Sequence, residues 1–116
     1  MAATLTRVIT ERPTVTVTTG AHGTLICVAG RIDGHTAADL RAELHDIIDN
    51  AISPLHLDLS DAELGDATAL GLLVECHRRG RRRGHEMRLI AASARSERLL
   101  RRLALTRQYG VGAARA

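Results

Sequence analysis

From Leu55 to Leu59 the chain alternates leucine with His56 and Asp58, a period of two that places three leucines on one face of a strand and two polar groups on the other. A few residues later the spacing becomes helical. Starting near Thr68, the positions Leu70, Leu73, Val74 and His77 lead toward Gly84, a natural C-terminal stop. Gly80 is the weak point of this helix. A glycine there costs about 1 kcal/mol relative to alanine, so the helix is expected to fray or end early among its arginines. The two patterns are joined by an acidic turn from Ser60 to Asp66. Asp66 and Thr68 sit at the switch, where unpaired backbone N–H groups and a positive dipole end receive or display negative charge.

The same patterning sets out the rest of the chain. Residues 1–12 read as a polar, mobile lead-in, and Thr14 to Thr19 alternate Thr with Val as a strand with one polar face. Gly20 and Gly23 bracket a hairpin turn. Leu25, Ile26, Cys27 and Val28 then run too continuously apolar for an exposed strand, which makes Thr24 to Ala29 a central one. Gly30 to Gly34 form a loop, and Thr36 with Asp39 three residues on has the form of a capping box. A helix from about Ala37 to Asn50 follows, its stripe made of Leu40, Leu44, Ile47, Ile48 and Ala51, and Ser53 and Pro54 end it. Met87 to Ala91 read as a fourth strand. Ser93 or Ser96 caps a third helix with Leu99, Leu100, Leu103 and Leu105 on its stripe, and Tyr109 and Val111 close the fold. Helical crossovers require parallel neighbouring strands, so the sheet is mixed: one antiparallel hairpin precedes a parallel set. His56 and Asp58 suggest that one sheet face is partly covered, with helices crowding the other.

Composition narrows the chemistry. The 116 residues fit one domain, and with one Tyr, no Phe and no Trp its core is built from aliphatic side chains. No apolar run approaches the roughly 18 residues of a membrane span, and the N-terminus lacks the pattern of a secretory signal, so the expected location is the cytoplasm. Cys27 and Cys76 then read as two buried, reduced thiols. The six histidines show none of the usual short zinc-ligand spacings. Charge is split: residues 1–75 carry 4 Arg and 11 acids, residues 76–116 carry 12 Arg and 2 acids. The run Arg78, Arg79, Arg81, Arg82 and Arg83 invites a nucleic-acid reading, but its place at a helix end favours solvated cations that complement the dipole. Missing aromatics weaken the nucleic-acid case further. No nucleophile, base and orienting group share a recognisable spacing, which makes an enzyme the least favoured class.

Several segments together carry a resemblance: G-R-I-D at 30–33, L-H-L-D-L-S at 55–60, D-A-T-A-L-G-L-L at 66–73, G-H-E-M-R-L-I at 84–90 and R-L-L-R-R-L-A-L at 98–105. In that order they resemble the STAS domain of bacterial anti-sigma factor antagonists, from about Thr14 to Val111. The family's turn motif reads D-S-S/T-G-L. Here Asp66, Thr68 and Leu70 match, Ala67 stands where the first Ser belongs, and Ala69 replaces the Gly. The resemblance implies a SpoIIAA-like α/β fold, with a mixed four- to five-stranded sheet and helices mainly on one face, in a single domain over residues 13–116. It further implies a binding module without cofactor, metal or catalysis, whose partner is an anti-sigma factor, often a GHKL-type serine kinase. A homodimer is compatible with it, and direct membrane insertion is not expected.

In such families the kinase phosphorylates the hydroxyl directly after the Asp, and the added charge of about −1.5 to −2 breaks the complex. Two readings of Ala67 stay open. In the preferred one the chain is blind to that step; in the other Thr68 accepts the phosphate, a place that the helix N-terminus favours and Asp66 opposes. The docking face expected from the resemblance is Ser60 to Leu72 together with the loop around Arg31 to His35, with Arg31, Asp33, Asp61, Leu64, Asp66, Ala67, Thr68 and Leu70 as its contact residues. Asp66 or Thr68 also serves as a helix cap without any partner, and Leu64 either folds onto the core or, as favoured here, is exposed as a contact. The alternative is a STAS accessory subunit of a membrane lipid-transport or transporter assembly.

Overall fold

Strand β1, Thr14–Gly20, turns through Ala21 and His22 into β2, Gly23–Ile32, and the two pair antiparallel from Thr14 opposite Ala29 to Gly20 opposite Gly23. The computed structural model of the chain describes residues 12–102. Helix α1, Ala37–Asp49, leads to β3, Leu55–Leu64, which lies parallel to β2; helix α2, Ala67–Arg82, leads to β4, Met87–Ala92, parallel to β3. Helix α3, Ala94–Arg102, follows. The described residues form one mixed sheet in the order β1-β2-β3-β4, with β2 inside it as its apolar run requires. Residues 1–11, together with Leu103, Leu105, Tyr109 and Val111, lie outside the described residues.

Two successive right-handed crossovers in one direction bring α1 and α2 to the same sheet face. There α1 buries Ala37, Leu40, Leu44 and Ile48, and α2 buries Ala69, Leu72, Leu73 and Cys76 against Ile26, Val28, Leu55, Leu57, Leu59 and Leu89. Each of the Leu, Ile and Val side chains contributes about 1.5–3 kcal/mol by leaving water, and no aromatic ring is needed. On the opposite face Thr16 and Thr18 are exposed, and Leu25, Cys27, His56 and Asp58 are half-buried.

Both β2 and β3 outlast their expected ends. Gly30 to Ile32 remain paired with Ala62 to Leu64, where a loop and an acidic turn were expected. The cause is a bulge: Cys27 opposes Asp58 but Ala29 opposes Asp61, so β3 carries one extra residue. The inward phase thereby moves from Leu55, Leu57 and Leu59 to Ala62 and Leu64, which breaks the alternation while the ladder continues. Asp58 holds the bulge, accepting from the Ser60 N–H at 2.9 Å and the Ser60 hydroxyl at 2.5 Å.

Helix ends also differ from expectation. Thr36 directs its hydroxyl backward, accepting from the Asp33 N–H at 3.0 Å, and makes no side-chain cap bond into α1, so the capping box with Asp39 does not form. The Thr36 and Ala37 N–H groups donate instead to the Asp33 carbonyl. At α3 the Ser93 hydroxyl accepts from the Ser96 N–H at 3.2 Å, which assigns the cap to Ser93. Gly80 does not end α2. It is buried where an added Cβ would meet the Met87 side chain, and the helix continues to Arg82. The stop follows at Gly84, φ +82°: its N–H donates to the Arg81 carbonyl and that of His85 to the Gly80 carbonyl, a Schellman motif.

Candidate docking surface

The parallel strands β2 and β3 release their chains side by side, so the β2–α1 loop and the β3–α2 turn meet at the carboxyl end of the sheet. The Gly65 N–H donates to the Ile32 carbonyl at 2.8 Å, joining the two segments as they leave the sheet. Arg31 then braces them. Its Nε donates to Asp33 Oδ2 at 3.0 Å and its Nη1 to Glu63 Oε2 at 3.0 Å, and its guanidinium fills the space that a Cβ at Gly65 would take. Arg95 of α3 reaches the same Glu63 carboxylate at 3.6 Å.

Asp66 is the second brace. One carboxylate oxygen accepts from the Ala69 N–H at 3.2 Å, capping α2, and the other accepts from the Gly34 N–H in the opposite loop at 3.1 Å. The capping reading and the loop-positioning role therefore coexist in one side chain. The Asp33 carboxyl is held below its ordinary pKa of 3.8, first by the hydrogen bond from the His35 N–H and then, against partial desolvation, by Arg31. The site is open to solvent: Arg31, Glu63 and Asp66 are themselves exposed, as are Ala67 and Thr68 at the start of α2 and Gly34 and His35 in the opposite loop.

Among the expected docking residues, Arg31, Asp33, Asp66, Ala67 and Thr68 are brought together. Leu70 is half-buried one turn into α2, and Asp61 is exposed but sits within β3, paired with Ala29. Leu64 is a correction: it is 3% exposed and belongs to the core, because the bulge has put it in the inward phase. Glu63, Gly34 and Gly65 were not singled out from sequence. Glu63 and Gly65 take their roles from Arg31, and Gly34 takes its role from Asp66, each more than 30 positions away, so the local pattern carries no signal of them.

The arginine run is tied down only in part: Arg79 and Arg83 pair across to α1, while Arg78, Arg81 and Arg82 stay exposed. Arg79 donates to both oxygens of Asp49, at 2.9 and 2.7 Å, and Arg83 to one of them at 3.0 Å, tying α2 to α1. Arg79 is the main cause that lowers the Asp49 pKa to about 2. Of the two thiols, Cys76 is buried and pushed up to about 12 by desolvation, whereas Cys27 is only half-buried, so the expectation of two buried thiols holds for one. Among the described residues no helix is long and apolar enough to cross a membrane.

Comparison with known proteins agrees with this architecture. The family model described as STAS domain matches residues 12–112. Among solved structures, the chain is similar to an antisigma-factor antagonist STAS domain from Rhodobacter sphaeroides, with 19% identity and a TM-score of 0.62 over 75% of this chain and 91% of that one. It is also similar to the anti-sigma factor antagonist SpoIIAA in its unphosphorylated form, with 14% identity and a TM-score of 0.66 over 82% of this chain and 84% of that one. A search of curated proteins gives no match.

Proposed function

The chain belongs to the STAS domain family, and from that membership and the braced loop pair we propose that it is an anti-sigma factor antagonist: a binding module, not an enzyme, that engages a GHKL-type serine kinase acting as anti-sigma factor and so governs sigma-factor-dependent transcription. The observation that carries the reading is the cross-bracing of two loops by Arg31 and Asp66, which holds Ala67 and Thr68 exposed at the first turn of α2. A rigid, solvent-facing helix start costs little ordering entropy when a partner docks on it. Both solved structures described above are of proteins named as antagonists, which supports the same reading.

Ala67 gives the proposal its particular form. A methyl group stands at the position of the usual acceptor hydroxyl, so the partner's ATP-dependent step finds no acceptor there and the complex persists. A new charge at this spot is the expected way to break it. Binding to a GHKL-type anti-sigma factor, measured by calorimetry, should be tight for the wild type and weakened at least tenfold by Ala67→Glu. Asp66→Arg should weaken it as well, with circular dichroism checking that the helix survives loss of its cap. Intact mass after incubation with partner and ATP should stay unchanged. Full binding by a folded Ala67→Glu variant rules out the proposed face, and a gain of one phosphate lost in Thr68→Val assigns the acceptor role to Thr68.

A further inference from the structure

The outer surface of the helical layer is divided by charge. Helix α1 exposes Asp39, Glu43 and Asp46, spaced i, i+4 and i+7, and α2 exposes Arg78, Arg81 and Arg82. Along the seam between the helices the charges cancel, Arg41 against Glu75 at 3.0 Å and Arg79 and Arg83 against Asp49 at 2.7 and 3.0 Å. Away from the seam they do not. Among the described residues Glu43, Arg78 and Arg82 have no ion-pair partner; Asp46 meets only Asn50, and Asp39 meets Arg12 at 3.6 Å with side chains 73% and 72% exposed. One helix thus carries surplus negative charge and its neighbour surplus positive charge.

The relief of the surface allows close approach. Exposed Gly71 and half-buried Val74 and Glu75 line a shallow groove with Arg78 and Arg82, and a Cβ placed on Gly71 would meet nothing within 4 Å. On α1 the residues beside the acids are exposed Ala38 and Ala42. The seam fixes how far along its neighbour each helix lies: with Arg41 beside Glu75 and Asp49 beside Arg79, Asp46 stands abreast of the turn that holds Arg78.

Because α1 and α2 lie side by side, a two-fold axis running along the seam sets α1 of one copy over α2 of another, and α2 over α1. Each contact then opposes carboxylates to guanidiniums, and both contacts are made twice by one self-complementary patch. We infer that the helical layer is a self-recognition surface on which two copies of this chain pair about such an axis, Glu43 and Asp46 of each meeting Arg78 and Arg82 of the other. Such an interface is strongest at low salt, since exposed charges act over roughly 30 Å at 0.01 M and only about 3 Å at 1 M ionic strength.

A charge-swap experiment tests this without any other protein, so its outcome is independent of the anti-sigma reading. In sedimentation equilibrium at ~0.01 M salt the wild type should approach twice its 12.5 kDa chain mass and return to the single mass at ~1 M salt. One variant, Arg78→Glu with Arg82→Glu, makes both helices acidic; a second, Glu43→Arg with Asp46→Arg, makes both basic. Each alone should be monomeric at low salt, and an equimolar mixture should form a heterodimer in which both contacts are complementary again. Arg78→Gln with Arg82→Gln should also lose the dimer, which keeps the test decisive if a reversal disturbs folding. A wild type that stays monomeric at low salt, a reversed variant that still dimerises, or a mixture that remains monomeric overturns the inference.

Discussion

Gly23 and Gly84 both adopt positive φ, +106° and +82°, yet a side chain would be received very differently at the two positions. At Gly84 an added Cβ meets nothing within 4 Å, and the cost is that of a left-handed residue alone, about 1 kcal/mol. At Gly23 the same Cβ would press on the Pro54 carbonyl, in the segment where the Thr24 N–H donates to that oxygen at 2.9 Å. Backbone cannot swing aside as a flexible side chain does, so an overpacking cost of about 1–3 kcal/mol adds to the conformational one. Urea unfolding should therefore place Gly84→Ala about 1 kcal/mol below the wild type and Gly23→Ala about 2–4 kcal/mol below it. Equal losses would mean that the Pro54 contact is immaterial. Both glycines were legible as turn and stop signals, because a local pattern suffices to mark them. Gly80 was not legible as a packing residue, since its reason lies on β4, at the Met87 side chain it leaves room for.

At the scale of elements, β3 divides at its bulge into a half that sequence reveals and a half that it hides. Leu55 to Leu59 keep a period of two, but the extra residue sends Ser60 and Asp61 outward together and moves the inward set to Ala62 and Leu64. A test for alternation stops at Leu59, which is why Ser60 to Leu64 read as a turn and Leu64 as an exposed contact. The docking turn itself is shorter than it seemed, Gly65 and Asp66, and this brevity lets Arg31 and Asp66 span it. Asp58 is the local determinant. Removing its carboxylate in Asp58→Ala deletes two hydrogen bonds that hold the bulge, at a cost of about 1 kcal/mol. Hydrogen exchange should accelerate at Ala62 to Leu64 relative to Leu55 and Leu57, with Asp58→Asn keeping most of the protection. Uniform acceleration along β3 would show that the bulge is held by something other than Asp58.

For the molecule as a whole, acid should act in two separable stages, because a histidine and a pair of carboxyls, Asp49 and Asp33, hold fewer protons in the folded chain than in the unfolded one. His77 is buried in α2, and desolvation, aided by the Arg81 charge, lowers its pKa from 6.5. Asp49 is lowered from 3.8 to about 2 by its hydrogen bonds and charge contact with Arg79 and Arg83. In both cases the unfolded state takes up protons first as pH falls, so the stabilisation is complete above the unfolded pKa and is lost on the way down to the folded one. For His77 that loss begins near pH 6.5. For Asp49 it runs between 3.8 and about 2, in the same direction as the smaller effect at Asp33. Urea midpoints measured from pH 8 to pH 2 should accordingly fall in one step beginning near neutrality and in a second below pH 4. Asp49→Asn should flatten the second step and leave the first in place, while lowering stability at neutral pH, where Arg79 and Arg83 lose the carboxylate that ties α2 to α1. His77→Leu should flatten the first and spare the second. Sequence could not have drawn this division: the arginine run and Asp49 are 30 or more positions apart, and only the two crossovers, by bringing α1 and α2 to one sheet face, make them a pair. If Asp49→Asn follows the wild-type profile below pH 4, the acid-labile link between the helices is not the Asp49 pair, and the cost of acidification lies elsewhere in the charge pattern.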